Sequence, residues 1–110
     1  MPNPAGPNPA ACEVVTALTE RGETVAWCES LTAGLGAATL ATVPGASAVL
    51  RGGLVTYATE LKTTLAGVDP ALIEENTVIS AAVAEAMAAG ARTRCGADWG
   101  LACLLYTSLM

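Results

Sequence analysis

The 110-residue sequence contains no histidine and no phenylalanine, and only five of its residues are basic. Without histidine the usual serine–histidine couple is excluded, so a serine nucleophile would need another base, and a lysine held neutral is the best attested one. The four cysteines, Cys12, Cys28, Cys95 and Cys103, form no C-x-x-C pair, and no imidazole completes a zinc set. Their plain reading is buried free thiols in a reducing compartment. Five basic residues against ten acidic ones give a net charge of -5 and leave no cationic patch for a phosphate backbone, which excludes nucleic acid as an expected partner. The start lacks the basic residues and apolar run of a secretory signal. Leu31 to Leu50 is uncharged and long enough to span a bilayer, but Pro44-Gly45 and the many Thr, Gly and Ala residues read as a buried helix and a turn. The expectation is a cytoplasmic protein with no membrane partner.

What is present is an apolar chain of 53% hydrophobic and 4% aromatic residues, long enough for one domain. Its core must come from Ala, Val and Leu, which suits helices packed closely on a sheet. Residues 1–9 hold four of the six prolines and are expected to be a disordered leader. From about Ala10 to Arg21 the apolar residues Ala11, Val14, Val15 and Leu18 fall at helical spacing, and Gly22 is placed to stop the helix. Thr24 to Cys28 reads as a strand. Glu29 to Gly34 passes from strand to helix, where small hydroxyl residues and glycine would leave backbone N–H groups for an anion, or Ser30 or Thr32 would simply cap the helix.

Gly52 to Ala58 reads as a second strand, and Thr59 caps a short helix carrying Lys62. Asp69-Pro70 opens another helix, and Ser80 caps a longer one with Val83, Met87 and Ala91 on one face. Asp98 to about Leu105 is a third strand. The alternation implies a layered α/β/α domain around a central parallel or mixed sheet.

The densest chemistry lies between Val43 and Lys62, where Ser47, Tyr57 and Lys62 supply hydroxyl, phenol and amine around Gly52-Gly53. Taken singly, Ser47 is a turn hydroxyl after Pro-Gly, Tyr57 a half-buried sheet residue and Lys62 a surface amine on a short helix. A lysine near pKa 10.4 is neutral in only about one molecule in a few thousand at pH 7, so a basic Lys62 requires burial. Glu60 should then face solvent.

At these residues the chain resembles the C-terminal domain of the CinA competence/damage-inducible family, whose stand-alone members act as nicotinamide-nucleotide amidases. Glu29-Ser30-Leu31-Thr32-Ala33-Gly34 is similar to its Glu-Ser-x-Thr-Gly-Gly pattern, with Ala33 where glycine is usual. Val43-Pro44-Gly45-Ala46-Ser47 is similar to Val-Pro-Gly-Ser-Ser, and Arg51-Gly52-Gly53 through Tyr57 to Lys62 is similar to Arg-Gly-Gly-x-x-x-Tyr-x-x-x-x-Lys. The resemblance implies an amidase that converts nicotinamide mononucleotide and water to nicotinate mononucleotide and ammonia, without metal or cofactor. It implies Ser47 as nucleophile, Lys62 as base and Tyr57 as assisting hydroxyl. Ser30, Thr32 and Gly34 would line the substrate wall, and Gly52 and Gly53 would let backbone approach the substrate and offer oxyanion donors. Ser30 is the rival nucleophile, although it lacks a G-x-S-x-G elbow and a local base.

The likeness runs over residues 10–102 and departs at 103–110, where the family's Thr-Gly-x-Ala-Gly-Pro is replaced by Leu104-Leu105-Tyr106-Thr107-Ser108. A truncated or frameshifted reading with a foreign tail is the expectation. It leaves a second reading, an inactive nucleotide-binding or assembly module. An unpaired strand edge would leave homo-oligomers open.

Overall fold

A computed structural model describes residues 6–104. In chain order come α1 (Pro9–Arg21), β1 (Val25–Glu29), α2 (Leu35–Ala41), a 3-10 turn (Ala46–Ala48), β2 (Leu50–Val55), α3 (Thr59–Thr64), α4 (Pro70–Asn76), α5 (Ala81–Cys95) and β3 (Trp99–Cys103). The three strands are all parallel, in the order β2-β1-β3. The layered α/β architecture is as expected, with the sheet wholly parallel.

The helix boundaries follow from capping. Asn8 accepts hydrogen bonds from the Ala10 and Ala11 N–H groups, and Pro9 takes the first helical position, where its missing N–H costs nothing. The end of the proline-rich leader is therefore the start of α1, against the expectation of disorder up to residue 9; residues 1–5 lie outside the described part. Gly22 ends α1 in the left-handed conformation. Ser80 caps α5 and Asp69 caps α4 through their side chains. The short α3 differs from expectation: Ala58 stands at its cap with no side-chain bond, and Thr59 is its first residue.

Strand periodicity divides the core in two. On one face of the sheet Val25 packs with Val15 and Leu18 of α1, with Leu40, and with Val43 and Val49. On the other, Ala26 and Cys28 pack with Val83, Met87 and Ala91 of α5 and with Ala66 and Val68. β1 is thus buried on both faces, as a central parallel strand must be. The approach of α5 to β3 depends on Gly100, since a Cβ there would fall on the Ala88 carbonyl oxygen.

The connection from β1 to β2 runs through α2 on the first face, and that from β2 to β3 runs through α3, α4 and α5, with α5 on the second. The chain therefore leaves β1 and β2 in opposite senses. In such sheets a crevice opens at the carboxyl ends of the strands flanking the reversal.

Candidate active site

At that crevice β1 ends in Glu29, only 1% exposed. Its two carboxylate oxygens accept hydrogen bonds from the Gly36 and Ala37 N–H groups, both at 2.9 Å. The first turn of α2 is thereby tied to the end of β1, with a negative charge at the positive end of the helix. The anion anticipated at this helix start is therefore the chain's own Glu29. Between the two elements Ser30 donates its N–H to the Cys103 carbonyl at 2.9 Å, which continues the β1–β3 ladder past Glu29. The loop then turns through positive φ at Ala33 and Gly34. Ser30 is held from both sides with its hydroxyl over the carboxyl edge.

The third support comes from the end of β2. Thr56, fully buried, donates its N–H to the Glu29 carbonyl at 2.7 Å, and its own carbonyl then accepts from Lys62 Nζ at 2.6 Å. Lys62, in α3, is 1% exposed, and its Nζ also reaches Ser30 Oγ at 3.0 Å. No carboxylate pairs with it among the described residues, where the one ion pair is Arg21–Glu23. Burial pushes the Lys62 amine below the ordinary lysine range, against a smaller opposing influence of Cys28. The Cys28 thiol, 3.5 Å from Thr56 Oγ1, is itself pushed up by burial. Glu60 is exposed, as expected.

Ser30 and Lys62 open into a pocket of about 200 Å³ walled by Leu31, Val78, Ile79 and Leu104, with the Tyr57 ring beside it. Tyr57 is 61% exposed and forms a wall of the pocket, with no side-chain hydrogen bond to Ser30 or Lys62. Chemically the arrangement sets a hydroxyl against a buried amine whose pKa is lowered by desolvation. Among the described residues no group of three or more acidic or sulfur side chains could hold a metal ion.

The structure thus brings together Ser30, Tyr57 and Lys62. The expected pairing of Ser47 with Lys62 is not made. Ser47 is exposed in the 3-10 turn that precedes β2, whereas Lys62 follows the end of that strand. Six residues of strand separate the two ends by roughly 20 Å. Gly52 and Gly53 lie within β2, opposite Ala26 and Trp27; a Cβ at Gly53 would crowd Ala37 at 3.3 Å, whereas one at Gly52 would meet Cys95 only at ordinary contact distance. Neither lines the Lys62 pocket. Thr32 lines a groove over α1 and α2 instead of the Lys62 pocket, and Gly34 stands at the start of α2.

Two contributors escaped the sequence reading. Glu29 had a signal, an acid closing an apolar strand just ahead of a helix start. The Thr56 carbonyl had none, because a backbone acceptor leaves no trace in residue type.

Fold and site define a layered α/β domain with a serine–lysine couple at the carboxyl edge of a parallel sheet. The chain belongs to the CinA C-terminal domain family, whose model matches residues 8–104. It is 51% identical over 89 residues to a CinA-like protein of Frankia casuarinae, covering 81% of this chain and 21% of that protein. A CinA-like protein of Mycobacterium avium is 53% identical over 81 residues, 74% of this chain and 19% of the relative.

Among solved structures, the competence/damage inducible protein CihA of Agrobacterium tumefaciens superposes with a TM-score of 0.75 at 34% identity, over 84% of this chain and 55% of its own. The competence damage-inducible protein A of Klebsiella pneumoniae gives 0.77 at 31%, over 80% and 55%. The chain therefore spans about a fifth of the curated relatives and about half of the solved neighbours. No described helix is long and apolar enough to cross a membrane.

Proposed function

We propose that the site is that of a metal-free amidase of the pyridine nucleotide cycle, which hydrolyses the carboxamide of nicotinamide mononucleotide, with Ser30 as nucleophile and Lys62 as its base. The observation that carries this reading is the 3.0 Å contact between Ser30 Oγ and the buried, carboxylate-free Lys62 Nζ. A neutral Lys62 accepts the proton as Ser30 Oγ bonds to the amide carbon. The same amine then protonates the departing nitrogen, so ammonia leaves an acyl ester on Ser30. Water, deprotonated by Lys62, releases the acid and restores Ser30.

The apolar walls Leu31, Val78, Ile79 and Leu104 and the Tyr57 ring suit a flat heteroaromatic amide. This assignment replaces Ser47 by Ser30 and makes Tyr57 a wall for the ring.

The test is ammonia release from nicotinamide mononucleotide, with intact-mass detection of an acyl adduct and its location by peptide mapping. An adduct on Ser30 that disappears in Ser30→Ala supports the reading. Melting-point stabilisation by the mononucleotide with neither ammonia nor adduct would favour the binding module instead.

A further inference from the structure

Tyr57 and Ile79 are the two most exposed large apolar side chains among the described residues, at 61% and 54%, and both line the Ser30–Lys62 pocket. The other apolar members of that wall, Leu31, Val78 and Leu104, are half-buried, and the Lys62 amine beneath them belongs to a side chain only 1% exposed. Uncovered apolar surface is therefore concentrated at the mouth, on residues from separate stretches: Tyr57 follows β2, and Ile79 lies between α4 and α5. Exposed apolar side chains scattered singly need no explanation, but a pair bordering one pocket marks a surface that a ligand covers.

The backbone that presents Ile79 is strained and locked. Thr77 ends α4 at φ 67° and ψ 158°, a conformation that glycine adopts freely and a β-branched residue does not. Hydrogen bonds hold the turn in place. Thr77 Oγ1 donates to the Ile79 carbonyl at 3.1 Å, Ser80 Oγ donates to the Thr77 carbonyl at 3.2 Å, and the same Ser80 oxygen accepts from the Val83 N–H at 3.2 Å. Val83 is fully buried in the core cluster that contains Cys28. The turn is thus anchored to the core through α5, and a side chain that would gain by burial is kept at the mouth.

Resting on the amidase reading, which puts the acyl carbon at Ser30, we infer that Ile79 is a specificity-determining residue: it grips a flat ring against Tyr57 while the carboxamide on that ring reaches the hydroxyl. A group bonded to the acyl carbon leaves the pocket past these two side chains. An aromatic ring offers two flat faces, one to the Tyr57 ring and one to the branched Ile79 side chain. A saturated ring of equal size is puckered and fills the gap badly. Shape at the mouth selects a planar aromatic carboxamide.

The probes are the 1-methylnicotinamide cation and protonated 1-methylpiperidine-3-carboxamide, its saturated counterpart, each titrated into the intact 110-residue chain. Saturation-transfer NMR on the ligand reads weak binding without turnover. Both probes carry a single positive charge, so the Lys62 amine acts on them alike and the ratio of affinities reports shape. The flat probe should bind at least about fivefold more tightly. Ile79→Ala should weaken the flat probe about fivefold and bring the ratio within about twofold. Thr77→Gly frees the turn while leaving the pocket lining intact, and should weaken the flat probe at least about threefold. Leu65→Ala, at an exposed apolar residue outside the pocket, should change either affinity by less than about twofold.

The inference is overturned if the folded parent takes up neither probe at about 10 mM, if it binds both equally, or if Ile79→Ala binds the flat probe as the parent does. Ammonia release from nicotinamide mononucleotide is measured in parallel. Turnover together with binding indifferent to Ile79 sinks this inference alone; shape-selective binding that depends on Ile79, without ammonia, sinks the amidase reading alone.

Discussion

The two ends of the sheet carry similar residues in opposite settings. At the amino end Arg21 pairs with Glu23 at 2.7 Å, Trp99 Nε1 donates to the same carboxylate at 3.0 Å, and Asp98 accepts from the Thr24 N–H at 2.9 Å, all in solvent. Glu23 is held below the usual carboxylate range, first by the Trp99 hydrogen bond, and the charges there are screened and matched. At the carboxyl end Glu29 and Lys62 are each 1% exposed and do not pair: the carboxylate accepts from backbone N–H groups, and the amine, held below the ordinary lysine range by burial, contacts the Thr56 carbonyl and the Ser30 hydroxyl. Each end has a serine in a turn, Ser47 and Ser30, and only Ser30 faces an amine. Chemistry here depends on which end of a strand a residue follows, and spacing along the chain does not report that.

The largest effect should separate the two serines. Ser30→Ala should lower turnover of nicotinamide mononucleotide at least about ten-thousandfold, the scale on which loss of a nucleophile acts. Ser47→Ala should stay within about twofold, since its hydroxyl is exposed in a turn and does not line the Lys62 pocket. Steady-state ammonia release measures both, and the reverse ranking would restore Ser47 and break the comparison.

Lys62→Met should cost about a hundred- to a thousandfold in rate, as loss of a positioned base does. It also carries a signature in stability. The folded chain gives up the Lys62 proton at a lower pH than the unfolded chain, so between those two values the unfolded state holds more protons and stability rises with pH. Below both there is no slope from this group. Cys28, pushed up, acts oppositely, with stability falling as pH passes the ordinary thiol value, but it does so in both proteins. Urea midpoints followed from neutral pH to about pH 10 should therefore climb more steeply in the parent than in Lys62→Met. Parallel curves would mean that the amine is not held low.

Much of the fold was legible, because its determinants are local. Apolar periodicity marked α1 and α5, Gly22 marked the end of α1, and Asp69-Pro70 marked α4. Strand limits shifted by a few residues: β2 spans Leu50–Val55 rather than reaching Ala58, because the chain turns at Thr56 to meet Lys62. Of the two groups in the proposed couple, the amine was legible and its hydroxyl partner was not. Lys62 stood out as an amine in an apolar stretch. Ser30 and Lys62 are 32 residues apart and meet only because parallel pairing aligns the ends of β1 and β2. Ser47, closer in sequence, is carried to the far end by the strand between. Glu29 was read only as part of the passage from strand to helix, and the fold buries it against the N–H groups that open α2.

A smaller effect tests that last point. Glu29→Ala removes both acceptors from the start of α2 and should cost about 2–3 kcal/mol by chemical denaturation, the scale for buried hydrogen bonds to a charged group. Glu23→Ala, at the solvated end, should shift the denaturation midpoint far less than Glu29→Ala. Equal losses would mean that burial at the carboxyl edge confers no distinction.

The smallest effect concerns a backbone conformation shared by the two ends. Gly22 adopts φ 65° after α1 at the amino end, and Ala33 adopts φ 53° before α2 at the carboxyl end. The first position is filled by the residue that suits it; the second is not. A left-handed residue with a Cβ is strained by about 1–2 kcal/mol. Ala33→Gly relieves that, while the freer unfolded glycine gives back about 0.4–1 kcal/mol. The net gain is about 0.5–1 kcal/mol, a rise in Tm of a few degrees for a domain of this size. Gly22→Ala should shift Tm by a similar amount in the opposite direction. A loss at Ala33→Gly would mean that the Ala33 methyl has a packing role and that the loop holding Ser30 is not under strain.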